Sequence, residues 1–156
     1  MEVKIMEKHT TGLVVKLYIA KEIGDQLMLI GGQRGATLNI NLDEIDASSK
    51  DDPDGWANNI GGQRSWDVSA EGAYVIGDKG IEALEDALLG EHTQDIGRFQ
   101  IYLTSPSGEV RTGQTTLTSF SENAGHTDLV TYSLSLNGAG ALRKIANLPT
   151  TFTAMV

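Results

Sequence analysis

The 156-residue chain has no cysteine, only three prolines and only three phenylalanines. Without cysteine it has no disulfide, no thiolate nucleophile and no Cys-ligated metal. It also lacks any run of about 18 apolar residues, the length that crosses a bilayer as a helix. The apolar stretch over residues 12–20 is broken by Lys16 and preceded by Glu2 and Glu7, unlike a secretory leader. No membrane association is expected. Basic residues are scarce: 12 Lys and Arg stand against 21 Asp and Glu, for a formal net charge of −9. Phosphate binding rests mainly on Lys and Arg, so a chain this acidic is a poor nucleic-acid binder.

The acidity is concentrated. Residues 43–95 hold fourteen acids against three bases, Lys50, Arg64 and Lys79. Catalytic chemistry has little to stand on. His9, His92 and His126 are the only histidines, and none sits in a metal-binding HExxH spacing. No GxSxG elbow occurs. The run from Gly31 to Gly35 lacks the Gly-Lys-Ser/Thr end of a phosphate loop. An EF-hand with Gly55 as its sixth residue would put Lys50 at position one and Gly61 at position twelve, and neither supplies a carboxylate. A looser calcium site between strands stays open beside a solvated acidic loop. We expect no enzyme, no catalytic residue, no metal ligand and no cofactor.

Apolar residues make up 40 % of the chain, enough for one core. Their spacing is mostly two. Leu13, Val15, Leu17 and Ile19 alternate with Val14, Lys16, Tyr18 and Ala20, and residues 26–30 form a short apolar run read as a buried strand. Further strands are predicted over residues 37–42, 65–70, 99–104, 109–120 and 129–137, with a turn at residues 105–108. One segment departs from this pattern. Over residues 79–89, Ile81, Leu84 and Leu88 fall at helical spacing, with Asp78 as N-cap and Gly90 as the residue beyond the C-terminus. The expected fold is mainly β, an antiparallel β-sandwich with one flanking α-helix. The domain is predicted over residues 12–142, between an N-terminal arm (1–11) and a C-terminal tail (143–156).

Residues 47–62 show no periodicity and read as one long loop, which in a compact domain is usually functional or disordered. Trp56 in its middle suits a docking role, or packs on its own domain. Ile30-Gly31-Gly32-Gln33-Arg34 recurs as Ile60-Gly61-Gly62-Gln63-Arg64, which reads as one turn solution used twice. Several strands are polar on one face, with Thr112, Gln114, Thr116 and Thr118 in one and Thr131, Ser133, Ser135 and Asn137 in another. Threonine keeps β-propensity while leaving that face wet. Self-association by sheet extension is the natural use of such strands.

Leu27-Met28-Leu29-Ile30-Gly31-Gly32, Ala36-Thr37-Leu38-Asn39, and Asp43-Glu44-Ile45-Asp46-Ala47-Ser48-Ser49-Lys50-Asp51 followed by Gly55-Trp56 resemble the major tail tube proteins of long-tailed (siphovirus) phages of the TP901-1 type. The resemblance runs on through Trp66-Asp67-Val68-Ser69-Ala70-Glu71-Gly72, the helix, and Tyr132-Ser133-Leu134-Ser135-Leu136-Asn137 to Leu142. Residues 43–56 are its most specific part. It implies a ring-forming tail tube subunit, with hexameric rings stacked into a conduit for genome ejection. It also implies a virion location after assembly in the host cytoplasm, and as partners the chain itself, a tape measure protein and tail terminator and baseplate proteins.

The long loop would then reach the adjacent ring through Lys50, Asp51, Asp52, Asp54, Trp56 and Asn58. Arg98, Arg111, Thr116, Thr118, Thr131, Ser133 and Ser135 are the lumen-facing candidates. Four strands from each of six subunits, at about 4.8 Å spacing and about 40° tilt, close to a diameter of about 48 Å, roughly 38 Å inside the side chains. Duplex DNA of about 20 Å passes such a bore, and a lining without bases does not hold it. The alternatives are a β-sandwich module for carbohydrate or another ligand, motivated by the Trp56 loop, and a secretion-system tube protein of similar fold.

Overall fold

The computed structural model describes residues 15–51 and 55–152. The predicted arm (1–11) lies outside them, as do Leu13, Val14, Asp52, Asp54 and the last four residues of the predicted tail. Eight strands and one helix follow in chain order: β1 (Leu17–Ala20), β2 (Met28–Leu29), β3 (Gln33–Asp46), β4 (Asn59–Ala73), α1 (Lys79–Leu89), β5 (Arg98–Thr104), β6 (Val110–Asn123), β7 (Thr131–Gly138) and β8 (Arg143–Ile145). The strands hydrogen-bond in the order β2-β1-β5-β6-β7-β4-β3, all antiparallel, with β8 also on β6.

The long β6 joins two halves. Residues 110–116 pair with β5 and residues 115–123 with β7. The sheet then folds onto itself. Gln33 of β3 accepts from the Leu17 amide of β1 at 3.0 Å and donates to the Leu17 carbonyl at 2.8 Å. Across a flat sheet those strands, five steps apart, would stand roughly 24 Å from each other. The sandwich is therefore one continuous sheet with a shared core. Leu17, Ile19, Phe99, Ile101 and Leu103 of one half meet Val68, Ala70, Leu134 and Leu136 of the other.

Helix α1 closes this core with Ile81, Leu84 and Ala87. Asp78 caps it, its Oδ2 accepting from the Ile81 amide at 3.0 Å and from the Gly31 amide at 3.1 Å. The Gly31 carbonyl in turn accepts from the Tyr132 hydroxyl at 2.9 Å. Gly90 follows the helix in extended backbone (φ −74°).

Three predicted boundaries shift. The apolar run at residues 26–30 yields only the two-residue β2, with Leu29 exposed and Ile30 buried. Residues 59–62, read as loop, begin β4, and β3 runs on to Asp46. Residues 143–152 are docked: β8 pairs with β6, and Thr151 bridges Gln26. The repeated Gly-Gly pair serves two ends. Gly32 makes a turn at φ +69°, with the Ala73 carbonyl where a Cβ would stand. Gly61 and Gly62 lie inside β4, where the register with β3 slips.

Candidate assembly surfaces

Strands β6, β7, β4 and β3 form a layer whose two faces differ in chemistry. Cross-strand partners share a face, so the register sorts them. Tyr132, Leu134 and Leu136 of β7 stand beside Gly72, Ala70 and Val68 of β4 on the core side. The other face carries the rows Asn123–Thr131–Ala73, Ser121–Ser133–Glu71, Ser119–Ser135–Ser69–Thr37 and Thr116–Asn137–Asp67–Asn39. These rows hold hydroxyls, amides and two acids, with Asn39 donating to Asp67 at 2.8 Å, and no base.

Bases occur at the margins of this face. Arg98 of β5 extends the last row beside Thr116, and Asp95 lies 3.8 Å from it. Arg34 stands where β3 begins, in a shallow depression shared with Glu71, Ser121 and Ser133. Of the lumen-facing candidates, Arg98, Thr116, Thr131, Ser133 and Ser135 thus share one face. Thr118 sits at a register slip of β6, its hydroxyl donating to the Ser135 carbonyl at 3.2 Å. Arg111 belongs elsewhere. Its partner is Leu103, a core residue, so it lies on the core side, with its Nε buried and unpaired.

The second surface is an arm. Among the described residues, residues 67–72 of β4 pair with both β3 and β7, but residues 59–66 pair with β3 alone. Eight residues at about 3.3 Å each carry this two-stranded ribbon roughly 26 Å beyond β7. Its neck is laced shut. The Ala47 amide donates to the Asn58 carbonyl at 2.8 Å, and the Asn58 amide to the Ser48 hydroxyl at 2.9 Å. Asp46 accepts from the Ser48 amide at 2.9 Å, and hydrogen bonds from the Ser48 side chain and backbone hold its carboxyl below the usual range.

The predicted loop of residues 47–62 is thus a short tip on a long hairpin. Lys50 and Asp51 are exposed at the tip, and Trp56 is 78 % exposed, so it does not pack on its own domain. Sequence reading missed the apolar residues of the ribbon. Ile40, Leu42, Ile45 and Ile60 are each at least half exposed.

The phage tail tube protein family matches residues 10–144. The chain belongs to that family. No curated protein matches the sequence of this tail tube protein. Among solved structures, it resembles the tail of an empty gene transfer agent particle, refined with C6 symmetry, at 23 % identity and a TM-score of 0.75. The likeness covers 88 % of this chain and all of that one. The SPP1 tail tube follows at 17 % identity and a TM-score of 0.69, over 90 % of this chain and 81 % of that one. A chain of the anti-feeding prophage baseplate shares 10 % identity at a TM-score of 0.63, over 92 % of this chain and all of that one. As a tail tube protein the chain is a structural component of a phage tail.

Among the described residues of this tail tube protein, no three His, Asp or Glu side chains gather where they could hold a metal ion, and no helix is long and apolar enough to cross a membrane.

Proposed function

We propose that this tail tube protein closes into six-membered rings whose stacking makes a conduit for duplex DNA. The observation that carries the reading is the four-stranded layer with a base-free central face. Its edges suit repetition. Among the described residues, β3 has only β4 as a partner, and residues 119–123 of β6 have only β7. Counting through the alternating directions, β3 runs antiparallel to β6. Copies related by rotation therefore present antiparallel edges to one another. Six such layers give a barrel of about 24 strands and a bore of roughly 38 Å. The polar face then lines the bore, with Arg98, Thr116, Thr131, Ser133 and Ser135 on it and Thr118 at its bulge. DNA passes such a wall without the phosphate contacts that would hold it.

In this reading the arm tip, with Lys50, Asp51, Asp52, Asp54, Trp56 and Asn58, engages the adjacent ring. A tape measure protein occupies the bore before ejection. Terminator and baseplate proteins cap the ends, and assembly takes place in the host cytoplasm. The likeness to an anti-feeding prophage chain favours, as a second reading, a secretion-type tube of the same fold. Electron microscopy of the purified protein tests the proposal. Rings or rods of uniform width with an open centre are expected. A strictly monomeric species at high concentration and at every salt overturns it, and saturable carbohydrate binding by that monomer, abolished by Trp56→Ala, would identify a binding module instead.

A further inference from the structure

The arm exposes apolar side chains on both of its faces, and a β-bulge sets which residue goes where. Leu42 of β3 pairs with Arg64 of β4, while Glu44 pairs with Gly61. Two residues of β4, Gly62 and Gln63, therefore stand opposite the single Asp43. The extra residue inverts the alternation of β4 beyond it. Ile60 and Trp66 are an even number of residues apart and would share a face on a regular strand. Instead Trp66 pairs with Ile40, and Ile60 pairs with Ile45 on the other face. The two glycines report the same division. A Cβ on Gly61 would meet Leu42 at 3.3 Å, and one on Gly62 would meet Ile45 at 3.1 Å.

Near its base, then, the arm shows Ile40 and Leu42, 63 % and 60 % exposed, on the face continuous with the core residue Val68 and its partner Leu38. Towards its tip it shows Ile45 and Ile60, 50 % and 53 % exposed, on the opposite face, with Trp56 beyond them. With Trp56, these exposures equal about three fully solvated large apolar side chains, on the order of 500 Å². A standard interface takes about 800 Å² from each partner. One arm supplies most of one side of such an interface, but splits it between two directions. A ribbon with apolar patches on opposite faces at different heights cannot bury both on a single flat neighbour. The acids Asp43, Glu44, Asp46 and Asp51 around these patches oppose an anionic lipid surface or nucleic acid as the occupant.

We propose that the bulge at Gly62 and Gln63 makes the arm a two-sided wedge between two other copies of this chain. Ile40 and Leu42, beside the body of the domain, seat on the lateral neighbour within a ring. Ile45 and Ile60, together with Trp56, seat on a copy in the next ring. The assignment rests on the tube reading, and it separates ring closure from ring stacking within one hairpin.

The experiment compares wild type, the double variant Ile40→Asp/Leu42→Asp and the double variant Ile45→Asp/Ile60→Asp by sedimentation velocity and negative-stain microscopy, with circular dichroism to verify folding. Loss of tubes with retention of single rings is expected for the tip pair, and loss of rings for the base pair. The same product from both variants, or tubes from either, overturns the wedge. A second measurement does not depend on the aspartates. Because the chain has no cysteine, Leu42→Cys and Ile45→Cys each carry a single thiol. In wild-type-like tubes both should resist a maleimide. In rings of the Trp56→Ala background only position 42 should resist, and equal reactivity of the two positions overturns the proposal. Wild type that never forms rings or tubes overturns the tube reading itself, and the wedge with it.

Discussion

The indole N–H of Trp66 donates to the carbonyl oxygen of Gly140 at 2.8 Å. That bond ties β4 to the segment leading into β8, and the indole fills the space left by two glycines. A Cβ on Gly138 would stand 2.4 Å from the ring, and one on Gly113 2.5 Å. Trp66→Ala should lower the unfolding free energy by about 3–5 kcal/mol, the usual loss for a buried aromatic. Trp66→Phe keeps most of the packing but leaves the Gly140 carbonyl unpaired, for about 1–3 kcal/mol. Urea denaturation followed by circular dichroism checks both, and an unchanged stability of Trp66→Phe would show that the hydrogen bond contributes nothing.

Asp78 fastens the helix and the turn before β3 with one oxygen. Asp78→Ala removes the cap of α1 and the partner of the Gly31 amide together. A cap alone contributes about 0.5–2 kcal/mol, so the loss should lie at or above the upper end of that range. Asp78→Asn retains an acceptor and should lose less than half as much. Thermal and urea unfolding of the two variants decide the order.

Alkaline pH should weaken the fold through Tyr132. Burial, with a smaller effect from the Asp78 carboxylate, pushes its hydroxyl up to about 12 from the usual 10. The unfolded chain therefore releases this proton at lower pH than the folded one. The stabilisation is fully present below pH 10 and is lost as pH rises from 10 to about 12. Tyr132→Phe should flatten stability over that window, while losing the bond to the Gly31 carbonyl at neutral pH. Phenolate absorbance during the titration should show a tyrosine ionising near pH 12 that is absent from Tyr132→Phe.

Trp56 lies on the arm tip with its side chain in solvent. Trp56→Ala should leave the unfolding free energy of the isolated chain within about 0.5 kcal/mol of wild type, as for surface positions generally. Tube length should fall sharply, with rings remaining. A stability loss of several kcal/mol would mean that the indole packs on its own domain after all.

Much of this was legible in the sequence. The period-two runs located β5 and β7, whose core residues Phe99, Ile101 and Leu103, and Tyr132, Leu134 and Leu136, recur at every second position. Ile81, Leu84 and the Asp78 cap placed α1 over residues 79–89. The arm was hidden because neither of its faces is buried in the isolated chain. Residues 37–42 alternate and read as a strand, but beyond Leu42 the alternation carries no polar–apolar signature, and Gly61 and Gly62 read as a turn. Arg111 alternates with Thr112 and Thr116 along β6, so period two alone separates it from them, and its pairing with Leu103 places it on the core side. Docking of residues 143–152 rests on backbone bonds, such as the Gly24 amide to the Phe152 carbonyl at 2.8 Å, which leave no mark on side-chain pattern.

That docking bears on the order of events during translation. Domains form from the N-terminal side as the chain emerges, yet Gln26 must wait for Thr151, and Trp66 for Gly140. Residues 140–152 fasten elements made much earlier. A nascent chain is therefore unfinished along both β6 and the residues before β2 until these residues have emerged. Copies that meet on one messenger differ in whether that fastening has been made, which separates completed subunits from growing ones before any of them joins a tube.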